Sequence, residues 1–241
     1  MNLSIPLTDE QKTFLANGIF RAVSQDMTEL IYEHELPTDV GKGHFRWNYI
    51  NRNLSTALNG DFEHSFKKRG AWKFLLLRDR QSELSFSIMS EQNLKRLQAS
   101  LPLKAHYLEA LVSDNANRKP LEGQTRILGM FPDRDSSFLS ELKNQLFSGF
   151  SGEVKEHVLL LFDYNHIGVV SVRAVLLNAN LEVAVSDDWT KYMETTFVPT
   201  SSPLAETLSG EDELLVTLKA DDDFSSPETV RLPVAETGNL A

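Results

Sequence analysis

Residues 67–90, KKRGAWKFLLLRDRQSELSFSIMS, restrict this chain more than any other stretch. Residues 72–78 are an apolar run bounded by Gly70 on one side and Asp79-Arg80-Gln81-Ser82 on the other. Residues 83–90 alternate, with Leu84, Phe86 and Ile88 on one face and Ser85, Ser87 and Met89 on the other. Two strand-like runs across a short polar connection predict a β-hairpin. The first run is the more uniformly apolar and belongs toward the sheet centre. The second is expected to send every other side chain to water.

The segments before the hairpin read as helices. Thr8-Asp9-Glu10-Gln11 matches a capping box. Behind it Phe14, Leu15, Ile19, Val23, Met27, Leu30 and Ile31 recur at helical spacing, which predicts one amphipathic helix over residues 9–33, bent near Gly18. Residues 37–43 are a linker. Residues 44–58 form a second helix, with Trp47, Ile50, Leu54 and Leu58 on one face and Asn59-Gly60 as its stop.

After the hairpin, Ser90 caps a helix that Pro102 ends. Residues 105–112 suit strand or helix and are read as helix. Residues 113–135 form a long polar connection, and residues 136–150 another amphipathic helix. Three strands follow at 157–164, 168–177 and 181–185, joined by links too short for parallel crossovers, hence an antiparallel meander. Ser186 is expected to cap a short helix carrying Trp189. The expected fold is α+β: an antiparallel sheet, hairpin plus three-strand meander, covered by amphipathic helices. Trp47 and Trp72 are placed in the core.

Charge divides the chain. Residues 36–119 hold 14 Lys and Arg against 8 Asp and Glu, whereas residues 181–241 hold 3 against 13. From Thr195 the composition turns to Pro, Ser and acid, so residues 1–194 are assigned to a core domain and 195–241 to an acidic, partly ordered appendage. Within it, 214–218 and 229–234 form a small hairpin around an acidic loop. With no cysteine, thiolate metal sites, disulfides and cysteine nucleophiles are excluded, in keeping with a reducing cytoplasm. Neither a signal peptide nor an apolar run long enough to span a membrane is visible.

Catalytic signatures are missing too. No Walker lysine loop, dinucleotide glycine fingerprint, GxSxG elbow or HExxH pair occurs, and no cofactor is expected. Asp61, Glu63 and His64 could group around a divalent metal, but a loop placement makes them ordinary solvated residues, so no metal site is assigned. Asp79, Glu83 and Asp163 at strand ends, with Lys73, outline a metal-dependent nuclease. The set is incomplete, because no lysine stands two residues after Glu83. For nucleic-acid binding the candidates are Lys67, Lys68, Arg69, Lys73, Arg78 and Arg80, extended by Arg46 and Arg52. For docking to a basic partner they are Glu211, Asp212, Glu213, Asp221, Asp222 and Asp223.

Arg69-Gly70-Ala71-Trp72 before an apolar run, Phe86-Ser87-Ile88-Met89-Ser90, His106-Tyr107-Leu108-Glu109-Ala110-Leu111, Glu156-His157-Val158 and Asp187-Asp188-Trp189 together resemble an uncharacterised family of bacterial, mostly Gram-positive, and prophage-encoded proteins, a domain of unknown function. The likeness covers residues 45–193 and leaves the tail outside. It implies a cytoplasmic, phage-related protein and no particular chemistry. The expectation is a non-enzymatic protein acting through protein–protein contacts, in an accessory, inhibitor or assembly role in phage–host conflict. The alternative is a nuclease or nucleic-acid binder using residues 67–80.

Overall fold

The computed structural model describes residues 4–34, 41–56, 60–70, 72–99, 105–115, 118–119 and 135–194. A single six-stranded sheet runs in the order β1-β2-β3-β4-β5-β6. Its strands are β1 (Phe62–Arg69), β2 (Trp72–Asp79), β3 (Leu84–Ser90), β4 (Glu156–Tyr164), β5 (Val169–Leu177) and β6 (Val183–Asp188). All neighbours are antiparallel except β3 and β4, which run parallel with Phe86 beside Val158. The α+β class is as expected, as are the hairpin and the meander; the parallel join at the sheet centre is not. Local pattern fixes hairpins, but nothing local specifies how the two halves meet.

Even-numbered residues of β3 and β4 face one side of the sheet. There Leu84, Phe86, Ile88, Val158, Leu160 and Phe162 pack with Leu15, Ile19, Ile50 and Leu54 from the N-terminal helices. Those helices are α1 (Asp9–Phe20), a π-helical turn (Arg21–Asp26), α2 (Met27–His34) and α3 (Lys42–Thr56). Odd-numbered residues, Met89, Leu159 and Leu161, meet α4 (Glu91–Ala99) and α5 (Tyr107–Leu111), while Phe74 and Leu76 of β2 meet α5 and α6 (Ser136–Phe147). All three helices of this second face lie in the crossover that parallel β3 and β4 require.

Both faces of the central strands are therefore covered, and β3 is buried along its whole length. This corrects the half-exposed reading. Its serines face the second helical layer, where Ser85 and Ser87 hydrogen-bond the two ring nitrogens of His157, each at 2.8 Å. A period-two polar pattern identifies a face but not the surroundings of that face.

The capping box is real: Thr8 Oγ1 accepts from the Gln11 amide at 3.1 Å and Gln11 Oε1 accepts from the Thr8 amide at 3.0 Å. The helical irregularity falls at the π turn rather than at Gly18, which instead lets α3 approach: a Cβ on Gly18 would stand 2.4 Å from Leu54 Cδ2. Ser90 caps α4 as expected, accepting from the Asn93 amide at 3.3 Å. Ser186 does not cap a helix; it belongs to β6, and a 3₁₀ turn follows at Thr190–Tyr192. Trp189 is fully buried. Trp47 and Trp72 are only half-buried, edge to face at 5.9 Å where α3 meets the end of β2, and so lie at the rim of the core rather than within it. The connection at 120–134 and the tail strands at 214–218 and 229–234 lie outside the described residues.

Candidate protein-interaction edge

β1 is not among the strands expected from the sequence, where its first half reads as a loop and its second as a basic cluster. Its residues, FEHSFKKR, do carry period-two alternation, which mixed charge disguises. β1 pairs in full register with β2, from Phe62 opposite Asp79 to Arg69 opposite Trp72, and ends the sheet. Among the described residues no strand lies against its outer side.

Alternation sorts its side chains. Phe62, His64, Phe66 and Lys68 share a face with their partners Asp79, Leu77, Leu75 and Lys73. On that face His64, Lys68 and Lys73 are exposed and Phe66 is 47% exposed, its ring 6.0 Å from that of His64. The other face is closed down by the segment after α6. Lys67 Nζ donates to Gln145 O at 3.2 Å and to Ser148 Oγ at 3.3 Å, and burial pushes its pKa down. Glu63 accepts from the Ser151 amide at 2.9 Å and from the Ser151 hydroxyl. Those two bonds, joined by the Arg78 and Arg80 charges, outweigh burial and hold its carboxyl below the ordinary value.

The six basic candidates therefore do not form one patch. Arg78 is buried, with its Nε donating to Glu153 O at 2.8 Å and ion pairs to Glu63 at 3.7 Å and Glu83 at 3.9 Å, and it braces the sheet end. Arg80 pairs with Glu63 at 3.3 Å. Lys67 is turned to α6, while Lys68 and Lys73 stand side by side on the open face. Arg69 continues the strand. Arg46 and Arg52 do not extend the surface: Arg46 stacks on Tyr164 at 4.0 Å and Arg52 pairs with Asp26 at 3.2 Å. The six acidic candidates, Glu211 to Asp223, lie outside the described residues.

The nuclease set is scattered. Asp79 is buried and locks the hairpin turn, accepting from the Ser82 amide at 2.7 Å, the Ser82 hydroxyl at 2.5 Å and Gln11 Nε2 at 3.2 Å. Glu83 pairs with Lys155 at 2.5 Å, and that contact lowers its pKa. Asp163 ends β4, and because β4 runs parallel to β3 and opposite to β2, it sits at the other end of the sheet from Asp79. Asp61, Glu63 and His64 do not chelate as a group either, since alternation turns Glu63 and His64 to opposite faces. No cluster of three or more potential metal ligands occurs among the described residues.

Sequence reasoning missed a second polar cluster around His157. Besides its two serines, its backbone is bracketed by Asn115, whose Oδ1 accepts from the His157 amide at 3.0 Å while Nδ2 donates to His157 O at 2.8 Å and Leu177 O at 2.9 Å. Wholly enclosed, the imidazole has its pKa pushed by burial to about 3. The ring ties β3 to β4 and meets no solvent, while Asn115 ties the crossover to the backbone of β4.

The arrangement defines an α+β protein whose central strands are covered on both faces and whose sheet, among the described residues, ends at β1. The chain matches the family of unknown function DUF5986 over residues 4–227 and belongs to that family. The match begins well before residue 45 and continues past 193, so the family includes most of the tail, contrary to the narrower expectation. No curated protein and no solved structure matches the chain. Among the described residues no helix is long and apolar enough to cross a membrane.

Proposed function

We propose that this protein is cytoplasmic and works by binding another protein, in an accessory, inhibitor or assembly role of the kind phage–host conflict calls for. It takes an extended segment of its partner against the outer side of β1. The observation that supports this reading is the outer ladder of β1, against which no strand lies among the described residues, with Phe66 47% exposed beside it. An unpaired strand edge offers backbone donors and acceptors for strand addition, and the side chains along it select the partner. Lysine on such an edge is also a common guard against aggregation. An exposed phenylalanine on the same strand works against that guard, which favours recognition.

The test is a photo-crosslinking phenylalanine analogue placed at Phe66 in the native cell, with the same analogue at Ile167, an exposed site on the β4–β5 turn, as control. A protein captured at Phe66, absent at Ile167 and lost when Lys68→Glu is added, is the expected result. Equal capture at both sites would refute the assignment.

A second reading rests on the adjacent Lys68 and Lys73 beside Phe66 and His64, a cationic surface with a stacking ring suited to single-stranded nucleic acid. It requires affinity that falls with salt and is lost in Lys68→Glu/Lys73→Glu.

A further inference from the structure

The register of β1 on β2 also decides which backbone groups of β1 face outward. The Arg80 amide donates to Asp61 O at 2.9 Å, so these two residues form a bonded pair that continues the β1–β2 ladder. Bonded and non-bonded pairs alternate along an antiparallel ladder. The odd-numbered residues of β1 therefore turn their amides and carbonyls to β2, and Phe62, His64, Phe66 and Lys68 point theirs outward.

Across a two-fold axis the strand complements itself. An antiparallel copy centred on Ser65 sets Phe62 opposite Lys68 and His64 opposite Phe66, so the outward amides and carbonyls of all four residues meet one another. On that face each exposed Phe66 ring lies against the exposed His64 ring of the second copy, an aromatic cross-strand pair made twice. On the other face Ser65 meets Ser65 and Glu63 falls opposite Lys67, so like charges nowhere stand across from each other. Neighbouring registers are poorer. Centring on Phe66 leaves Phe62 without a partner in the strand, and centring on His64 does the same to Lys68. Centring on Lys67 sets two lysines face to face.

We propose that two copies of the chain pair through β1 across a two-fold axis at Ser65, joining their six-stranded sheets into one. This rests on the reading of β1 as a docking edge and names the chain itself as an occupant of that edge. The association closes at two copies, because each β1 is used once. A single strand pair is a small interface, below the roughly 1,200 Å² of standard ones. Each chain also carries a net charge of −10, so the dimer is weak and strengthens as salt screens the repulsion. A segment of another protein must displace the second copy, and its apparent affinity is reduced by the fraction of chains already paired.

Sedimentation equilibrium of the full chain between about 10 μM and about 1 mM is expected to give a monomer–dimer equilibrium, with a dissociation constant that falls several-fold as salt rises from about 0.05 M to about 0.5 M. Phe66→Lys alters both symmetric aromatic pairs and should weaken the dimer about tenfold. His64→Pro removes an outward amide and none of the β1–β2 bonds, so it should abolish the dimer while keeping the circular dichroism spectrum. In the purified protein, a photo-crosslinking phenylalanine analogue at Phe66 should join a second copy within residues 62–66. A monomer throughout, species larger than a dimer, a dimer untouched by His64→Pro, or a crosslink that lands outside β1 would each overturn the pairing. The two readings fail separately. A monomer that captures a different protein at Phe66 in the cell keeps the docking edge and removes the dimer. A dimer with no other protein captured keeps the pairing and removes the other partner.

Discussion

Two residues of similar appearance in the sequence, Arg78 and Lys68, have opposite standing in the folded protein. Arg78 is buried against Glu63, Glu83 and the Glu153 carbonyl, and a Cβ on Gly152 would meet its guanidinium at 2.3 Å. Arg78→Ala removes a buried guanidinium from its ion pairs and from the Glu153 carbonyl and is expected to cost about 3 kcal/mol. Lys68→Ala should stay within about 0.5 kcal/mol. Chemical denaturation of both variants checks the contrast. His157 supplies a pH test. With its folded pKa at about 3 against an ordinary 6.5, the unfolded chain takes up a proton that the folded chain refuses. Stability is thus highest above pH 6.5 and declines as pH falls toward 3, by about 1 kcal/mol between pH 7 and 5.5. Denaturation midpoints at the two pH values should show this slope in the wild type and lose it in His157→Gln.

Among the elements, the π turn at Arg21–Asp26 has a clear mechanical role. Its Ser24 hydroxyl accepts from the Val169 amide at 3.0 Å, which fastens the β4–β5 hairpin to the helical layer. Gly168 makes the approach possible: its φ is +149°, and an added Cβ would lie 2.4 Å from Ser24 Oγ. Gly168→Ala therefore combines backbone strain with a clash and is expected to destabilise by about 1–3 kcal/mol, read as a lowered melting temperature. Adding Ser24→Ala should recover part of that loss by removing the obstructing oxygen. The same hairpin carries exposed Ile167 and Val170, yet nothing described lies over them. β1 differs because the adjacent, exposed Lys68 and Lys73 accompany its exposed ring.

At the scale of the molecule, charge is unevenly divided along the chain. Residues 195–241 hold 9 acidic and 2 basic residues, a net −7, so residues 1–194 carry −3 of the total −10. Removing 195–241 takes away most of the net repulsion between copies and leaves Phe66 exposed on β1. The shortened chain is expected to keep its circular dichroism spectrum but to self-associate in sedimentation velocity. Phe66→Lys should restore the monomer. A shortened chain that stays monomeric without that substitution would count against β1 as an associating edge.

The sequence by itself determined the local features. Apolar periodicity placed the helices and five of the six strands, Thr8 and Gln11 announced the helix start, and short links forced the β4–β5–β6 meander. These features come from side-chain spacing, since a helix or strand exposes its period in its own residues. Tertiary structure alone decided that β3 and β4 run parallel, pairing Leu84 directly with Glu156 although three helices separate them in sequence. It alone buried the serines of β3 against His157, because alternation states which residues share a face and not whether that face meets water or another helix. It also divided the basic run, turning Lys67 inward and leaving Lys68 outward. Charge has no periodicity of its own, so its placement depends on the strand pairing around it.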